Sequence, residues 1–318
     1  MTSDMNKKPP SVLLEHVSKW YGQVIGINDI SLAIEGGVTG ILGSNGAGKS
    51  TLFKLLMGRL KPSQGNIRLF GIDPWKSSAP YRRVGYVSDS ERMYDWMTSL
   101  DFISTLARLH GMSREEAIER SKHVLDFVGL GDVYHKEIGK YSKGMRQRVK
   151  IAHALVHDPD LIILDEPLHG CDPIARTSIM SVIRELGSQG KTVLISSHIL
   201  EEIERITEQI VILHNGKLLA IGNLHAIRDL LDQHPHRILI KCENPRDLAK
   251  LFISSEPVYG VRFPDDGELE IQTNNLSAAH DILPAIVVKS KQQITSIENP
   301  DDNLNSLIGY LLGGIENG

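Results

Sequence analysis

The sequence predicts an α/β fold built on a mostly parallel sheet, with a small α+β domain after it. Two short apolar runs, LIIL at 161–164 and TVLISS at 192–197, flank a stretch at 173–186 whose apolar residues have helical spacing. Strands that are apolar throughout and alternate with helices are typical of a parallel sheet covered on both faces. A chain of 318 residues is long enough for about two domains.

The first element of the predicted core is a strand that ends at Leu42 and leads through a glycine-rich loop into a helix. Residues 43–50 read GSNGAGKS and match the pattern G-x-x-x-x-G-K-[ST]. Glycines let backbone N–H groups close around phosphate oxygens, and the helix start adds its positive end. We expect Lys49 to reach the β- and γ-phosphates of a nucleotide and Ser50 to bind Mg²⁺. The expected nucleotide-binding residues of the loop are Gly43, Ser44, Asn45, Gly46, Ala47, Gly48, Lys49, Ser50 and Thr51.

The next stretch of the chain mixes a strand with helices. GNIRLFGID at 65–73 is typical of a strand, and residues 98–130 show helical periodicity. Within that range, Ser113 and Glu116 have the spacing of a capping box, in which the serine and glutamate satisfy each other's backbone N–H groups.

An acidic pair follows the predicted strand at 161–164. Asp165 and Glu166 come directly after it, and ligands of such sheets bind at the carboxyl ends of the strands. We expect Asp165 to be a second Mg²⁺ ligand and Glu166 to be the base that orients or deprotonates the attacking water. His198 ends the next strand, where an imidazole can contact the terminal phosphate. The predicted catalytic residues are therefore Glu166, His198 and Lys49. Four other histidines are interpreted as ordinary surface or core residues: His153, His157, His169 and His214.

Residues 234–318 differ in character and predict a separate C-terminal α+β domain. RILIKC indicates a strand and NPRDLAKLFISS a helix, and VYGVRFPDDGELEIQT indicates two strands joined by an Asp-Gly turn. A second helix, a strand near 294–297 and an end helix follow. The order β-α-β-β-α-β is compatible with a ferredoxin-like unit.

Composition excludes several classes of protein. Hydrophobic residues make up 41% and charged residues 23%, which is ordinary globular usage. The net charge of −4 is too balanced for broad nonspecific binding of nucleic acid. Cys171 and Cys242 are the only two cysteines and suggest neither a disulfide framework nor a cysteine zinc site. The longest apolar run, 307–315, is about half of what a bilayer-spanning helix needs, so we expect no membrane span in the chain.

With these residues in view, residues 11–222 resemble the nucleotide-binding subunits of ATP-binding cassette (ABC) transporters. YSKGMRQR at 141–148 looks like the signature segment of that family, which is usually written LSGGQ, and it precedes LIILDEP at the customary interval. Asp172 in GCDP looks like the D-loop aspartate, and Tyr21 lies where the family stacks an aromatic ring on adenine. The signature residues carried over are Ser142, Lys143, Gly144 and Met145.

The resemblance implies an architecture and a set of partners. Residues 11–223 would form a P-loop NTPase of the ABC cassette type, with a helical subdomain at about 90–150. Two such domains face each other head to tail, each ATP lying between one phosphate loop and the other subunit's signature serine. The chain would therefore bind ATP and Mg²⁺ as a homodimer or with a related subunit. It would lie in the cytoplasm, on the inner face of the cell membrane, by binding a separate membrane permease.

The sequence departs from the family pattern at two places. Asp89 stands where a glutamine is usual; it is placed to hold Mg²⁺ or its water, but it lacks the amide donor and repels the γ-phosphate. Lys143 and Met145 replace the first glycine and the glutamine of the signature. The SKGM variant and the domain appended after Gly222 resemble subunits of the ABC-2 exporter type, which favours export over import.

Two other functions compete with this interpretation. A soluble ABC ATPase acting on nucleic acid or ribosomes is the main alternative, but the chain has no second cassette, no coiled-coil insertion and no positive net charge. A phosphate-loop kinase or GTPase would need an acceptor site or a guanine-reading motif, and NKxD does not occur in the sequence. We therefore expect a transporter ATPase that does not bind nucleic acid.

Overall fold

The computed structural model of the chain describes residues 9–89, 93–224, 226–227, 236–253, 255–273, 275–298 and 304–312. The chain divides into two units, Met1–Gly222 and Asn223–Gly318. The first unit contains the phosphate loop and the acidic pair. The predicted α/β class is confirmed, because five of the six strands in the largest sheet of this unit run parallel.

Among the residues of the first unit that the structure describes, nine strands form two sheets. They are β1 (Val12–Tyr21), β2 (Val24–Ile34), β3 (Gly37–Leu42), β4 (Gln64–Leu69), β5 (Val84–Val87), β6 (Leu161–Leu164), β7 (Thr192–Ser197), β8 (Gln209–His214) and β9 (Lys217–Asn223). The larger sheet has the order β5-β6-β7-β3-β8-β9, and the smaller sheet is antiparallel with the order β2-β1-β4. Strands β5, β6, β7, β3 and β8 run parallel, so their carboxyl ends meet at one edge of the sheet.

Six helices accompany these strands in the described part of the first unit. They are α1 (Lys49–Leu56), α2 (Ser99–Leu109), α3 (Arg114–Phe127), α4 (Lys143–Leu155), α5 (Pro173–Ser188) and α6 (Leu200–Glu204). The periodic stretch at 98–130 is thus two helices, and the capping box between Ser113 and Glu116 is present at the start of α3. Among the residues that the structure describes, no helix is both long and apolar enough to cross a bilayer.

The antiparallel pair β1 and β2 was not predicted, and backbone irregularity explains why. The pairing shifts register between Leu14 and Val17 and again near Lys19, so the alternation of inward and outward side chains is interrupted. His16 has φ 50° and Asp29 on the facing strand has φ 53°, and His16 Nδ1 is hydrogen-bonded to Asp29 Oδ1 at 2.8 Å. A period-2 search fails where such bulges reset the period.

Histidines pack where α2 and α4 approach β5. The rings of His110 and His157 stack at 4.2 Å, with 2° between their planes. His157 Nε2 donates to the Val84 carbonyl oxygen at 3.1 Å, whereas its Nδ1 is buried and has no hydrogen-bond partner among the described residues. Burial, assisted by His110, lowers the pKa of His157 to about 4, and burial also lowers the pKa of His153. A second proton on the His157 ring would therefore be poorly accommodated in the folded state.

The low pKa of His157 predicts acid destabilisation. Below pH 6.5 the unfolded imidazole takes up a proton that the folded one refuses until about pH 4, so unfolding becomes more favourable as the pH falls through this window. We expect His157→Gln to reduce the slope of unfolding free energy against pH by up to about 1 kcal/mol per pH unit, because a partly exposed ring gives less than the full one-proton value. Urea unfolding of both proteins between pH 7 and 4.5 measures the two slopes, and equal slopes would contradict this role of His157.

The C-terminal unit is an α+β structure, in which helices pack against an antiparallel sheet. Its strands are β10 (His236–Cys242), β11 (Val258–Arg262), β12 (Glu268–Thr273) and β13 (Ile294–Glu298), and its helices are α7 (Pro245–Ile253), α8 (Leu276–Ser290) and α9 (Leu304–Leu311). The strands are antiparallel in the order β11-β12-β10-β13, and Leu248 and Phe252 of α7 pack into the core between helices and sheet. Gly267, with φ 84°, ends the turn between β11 and β12. This strand order supports our proposal that the unit is ferredoxin-like.

Candidate functional site

Four strands of the parallel sheet deliver polar residues to one cleft of about 630 Å³. Leu42 of β3 is paired with Ser197 of β7, and Leu164 of β6 with Ile195, so the loops that leave these strands start side by side. The loop after β5 adds Asp89. The sequence-predicted residues that line the cleft are Tyr21, Ser44, Asn45, Gly46, Ala47, Gly48, Lys49, Ser50, Thr51, Asp89, Asp165, Glu166 and His198.

The phosphate loop is shaped by its glycines. Gly48 has φ 109° and precedes α1, and a Cβ at this position would lie 2.8 Å from the Gly26 carbonyl oxygen. A side chain is excluded there by both the backbone conformation and the space. The loop closes on itself where the Ala47 N–H donates to the Ser44 carbonyl oxygen at 3.1 Å. The first N–H groups of α1 have no intrahelical partner, and the residues that carry them line the cleft, as an anion site requires.

The ammonium group of Lys49 is held inside the cleft. The side chain is only 6% exposed, and its Nζ donates to the carbonyl oxygens of Gly43 at 2.6 Å and Ser44 at 3.3 Å. Glu166 Oε1 lies 3.4 Å from the same nitrogen. Gly43 thus acts behind the loop, through its carbonyl oxygen. The charge of Lys49 is already positioned for a phosphate, which would replace these neutral and carboxylate oxygens as its partner.

The acidic pair is held by neighbouring strands. Burial raises the pKa of the Asp165 carboxyl, and hydrogen bonds from Ser196 and Ser50 partly offset that rise. Glu166 Oε2 accepts a hydrogen bond from His198 Nδ1 at 3.0 Å; the ring nitrogen must be the donor because a carboxylate only accepts. The predicted catalytic trio of Lys49, Glu166 and His198 is therefore one contiguous cluster.

The oxygen atoms around this cluster fit a magnesium ion. Ser50, Asp165 and Asp89 line the same cleft, and they offer one hydroxyl and two carboxylates. Mg²⁺ prefers oxygen ligands and is usually bound by one or two carboxylates together with substrate phosphates. The Ser50 hydroxyl is near enough to the Asp165 carboxyl to lower its pKa, so the two groups are close enough to share one ion.

Tyr21 lies at the edge of the cleft, at the end of β1. Its ring is 43% exposed, and its hydroxyl oxygen lies 3.4 Å from Thr51 Oγ1. A half-exposed aromatic ring beside a phosphate loop is suited to stacking on a planar base.

Several cleft residues were missed from the sequence. Val24 and Ile25 line the cleft and are 66% and 53% exposed, and Gly26 is a neighbour of theirs on β2. His169 also lines the cleft, with its ring 6.3 Å from that of His198, although it was interpreted as an ordinary surface or core residue. In the sequence, the two consecutive β-branched residues Val24 and Ile25 were the signal that indicated a strand at this position.

The signature segment and the D-loop aspartate do not line the cleft. Ser142 is exposed and caps α4, its Oγ accepting from the Met145 N–H at 3.3 Å; Asp172 caps α5 through the Ala175 N–H at 2.9 Å. A Cβ on Gly144 would lie 2.3 Å from the Ala175 Cβ, so the two helix starts are in close contact. The side chain of Lys143 packs against Gly170, since a Cβ added to Gly170 would lie 2.3 Å from Lys143 Nζ.

Comparison with known proteins identifies relatives over most of the chain. A family model described as ABC transporter matches residues 27–169. The ABC transporter ATP-binding protein NatA of Bacillus subtilis is 37% identical over 231 residues, which is 72% of this chain and 89% of NatA. The bacitracin transport ATP-binding protein BcrA of Enterococcus faecalis is 32% identical over 304 residues, or 94% of this chain and 96% of BcrA. The match spans 66% of an ABC transporter ATP-binding protein of Nostoc that is 40% identical.

Solved structures give the same result for the fold. A dimeric ATP-binding cassette in a post-hydrolysis state, bound to ADP and Pi, is 25% identical and has a TM-score of 0.61, covering 67% of this chain and 98% of that one. The cleft holds the phosphate loop, Asp165, Glu166 and His198 together with Tyr21 and Asp89, whereas Ser142 and Asp172 lie outside it. Because the similarity to BcrA extends over nearly the whole chain, the protein belongs to the ABC transporter family, as an ATP-binding subunit and an ATPase.

Proposed function

We propose that this subunit hydrolyses ATP with Mg²⁺ at a site shared between two subunits and drives export through a separate membrane permease. The observation that carries the proposal is the cluster of Lys49, Asp165, Glu166 and His198 in one cleft beside the phosphate loop. Asp165, Glu166 and His198 directly follow parallel strands, and Lys49 begins the helix after the loop that leaves β3, so all four lie at the edge where α/β sheets bind ligands.

The chemistry follows from the positions of these groups. The N–H groups at the start of α1 and the Lys49 ammonium bind the phosphates, and Tyr21 stacks on the base. Mg²⁺, held by Ser50 and Asp165, would neutralise charge that develops on the phosphate oxygens. Glu166 accepts a proton from water as the water oxygen attacks the γ-phosphorus, while the bond to the bridging oxygen of ADP breaks. His198 Nδ1 donates to Glu166 Oε2 and so restricts the orientation of the carboxylate that accepts this proton.

Dimerisation completes the site in this proposal. Ser142 and Gly144 lie at the start of α4 and outside their own subunit's cleft, so in the head-to-tail arrangement they would reach the γ-phosphate of the facing subunit. Ser142 caps one N–H group of α4, that of Met145, and its exposed hydroxyl can accept this bond and still donate to a phosphate. Asp172 caps α5, whose start contacts the start of α4. It would therefore lie at the interface between the two subunits.

Export is supported by the relatives. The bacitracin transport protein matches nearly the whole chain, including the C-terminal unit, and a Nod factor export ATP-binding protein of Burkholderia lata is 36% identical over 215 residues. A permease would hold this subunit at the inner face of the membrane. The relatives are transporter subunits, so the alternative of an ABC ATPase that acts on nucleic acid is left without support.

Isolation of the complex tests this proposal. A tagged Glu166→Gln protein, purified with ATP from detergent-solubilised membranes of its own host, should carry with it a protein rich in membrane spans. The same purification with Lys49→Ala should recover less of that protein if ATP-driven closure stabilises the complex. Recovery with ribosomes, or from the soluble fraction alone, would contradict the transport function.

Asp89 supplies a further prediction about the same site. Asp89 is exposed and its charge acts on the Asp165 carboxyl, so it adds negative charge where the γ-phosphate must bind. We expect Asp89→Gln to raise kcat of ATP hydrolysis by about twofold to fivefold, the range of a charge interaction at an exposed site. Steady-state kinetics at saturating Mg²⁺ measures the change, with the exposed Asp132→Asn as a control for loss of charge. A slower Asp89→Gln protein would indicate that the aspartate is itself needed as a ligand.

A further inference from the structure

Two adjacent buried serines end strand β7, and their hydroxyls have different partners. Ser196 is 0% exposed and Ser197 is 2% exposed. The Ser197 hydroxyl donates to Glu202 Oε2 at 2.9 Å and accepts from the Ile199 N–H at 3.0 Å, so it organises the start of α6. The Ser196 hydroxyl is directed to β6 and the acidic pair.

The Ser196 hydroxyl connects the two carboxylate residues in a fixed direction. Its Oγ accepts from the Glu166 N–H at 2.9 Å and donates to Asp165 Oδ1 at 2.8 Å. A hydroxyl has one proton, and a backbone N–H can only donate, so the proton must point at the carboxylate. The result is a chain of hydrogen bonds from the Glu166 backbone, through Ser196, to the Asp165 side chain.

The backbone of Glu166 needs such support. Glu166 has φ 49°, in the left-handed region that residues other than glycine rarely adopt. The hydrogen bond from its N–H to Ser196 holds the peptide in this conformation, and the side chain is then directed to Lys49 and His198. Without that hydrogen bond, the left-handed backbone conformation of Glu166 would be less stable. The position of its carboxylate would then be less well defined.

We propose that Ser196 is a positioning residue that fixes the magnesium-binding carboxylate of Asp165 and the backbone of the base Glu166 as one unit. The proposal rests on the proposed function, in which Asp165 binds Mg²⁺ and Glu166 activates water. Ser196 itself is fully buried and does not line the cleft. Partners of metal ligands act in this way, by restricting the orientation of the ligand.

The test compares variants at the two serines of β7. Ser196→Ala removes the link, Ser196→Thr keeps the hydroxyl, and Ser196→Cys keeps a small side chain with a weak donor. Ser197→Ala is the matched control, because it removes a buried hydroxyl from the next position of the same strand. Mn²⁺ binding in the presence of ADP, followed by electron paramagnetic resonance, reports on the metal site without turnover. ADP binding in EDTA, ATPase kinetics and thermal melting of the full chain complete the set.

We expect Ser196→Ala to raise the dissociation constant of Mn²⁺ by about tenfold and to lower kcat by about tenfold or more, the usual cost of removing a partner of a metal ligand. ADP binding in EDTA should not change. Ser196→Thr should remain close to wild type, and Ser196→Cys should fall between Thr and Ala. Ser197→Ala should melt at a lower temperature and retain its Mn²⁺ affinity.

Two results would overturn the positioning role. One is a Ser196→Ala protein with wild-type Mn²⁺ affinity and kcat; the other is a Ser197→Ala protein that loses as much of both as Ser196→Ala does. Either result, obtained with an active wild-type enzyme, leaves the proposed function standing. Absence of Mg²⁺-dependent ATP hydrolysis in the wild type would overturn the proposed function and the role of Ser196 together.

Discussion

Glu166→Gln should abolish ATP turnover and leave ATP binding intact. Glutamine has the size of glutamate but its amide does not accept a proton at neutral pH, so the attacking water loses its base. General-base catalysis contributes roughly 100- to 10,000-fold, and kcat should fall by at least about 100-fold. The phosphate loop does not contain this residue, and loss of the 3.4 Å contact with Glu166 leaves Lys49 more available to the phosphate. ATP should therefore bind at least as tightly as in the wild type.

The same variant tests the shared site. Because bound ATP is not cleaved, the proposed dimer should persist, and light scattering with ATP and Mg²⁺ should give twice the monomer mass. Glu119→Gln is a matched control, since Glu119 is an exposed helix residue paired only loosely with Lys122 at 3.4 Å. Near-normal hydrolysis by Glu166→Gln would remove Glu166 from the role of base. A monomer that retains ATP would argue against composite sites.

The parallel core was predictable because its strands are chemically simple. Leu161–Leu164 is buried along its whole length and is followed by two carboxylates. One short run of residues therefore indicates both a buried strand and the edge of the sheet where its polar residues lie. Residues 43–50 fix the loop in the same way, since a match of that length leaves little freedom for the backbone. Once β3, β6 and β7 are assigned to one parallel sheet, the meeting of Lys49, Asp165 and His198 follows from topology.

The remaining parts of the site depend on contacts that the sequence does not record. Val24 and Ile25 reach the cleft only because β2 turns back along β1 through bulged pairing, which hides its period. His169 lies near His198 because the chain turns back after Glu166. The His169 N–H donates to the Glu166 carbonyl oxygen at 3.2 Å and closes this turn. Ser196 and Ser197 are identical in the sequence. Their different roles arise from which neighbour each hydroxyl meets, and that is a property of the packed sheet.

Lys49→Ala should weaken nucleotide binding and remove turnover. A hydrogen bond between charged groups contributes about 1.5–3 kcal/mol, so loss of the ammonium should raise the dissociation constant of ATP by roughly 10- to 100-fold. The variant retains Gly48 and the bond from Ala47 to Ser44, but it loses the two bonds from Lys49 Nζ to the carbonyl oxygens of the loop. Equilibrium binding with a fluorescent ATP analogue measures the affinity. Lys54→Ala is the control, since Lys54 is exposed on the same helix.

Because Lys49 contacts Glu166, a double variant at these two positions can distinguish the loss of one charge interaction from a general loss of folding stability. In the wild type the ammonium neutralises a carboxylate that is only 18% exposed, so Lys49→Ala leaves that charge with His198 as its remaining described partner and should lower the melting temperature. Adding Glu166→Gln removes the uncompensated charge, and neighbours in one network are not additive. The double variant should therefore melt above Lys49→Ala and still fail to bind ATP tightly. Unchanged ATPase activity in Lys49→Ala would contradict the assignment of the loop, whatever the melting temperatures are.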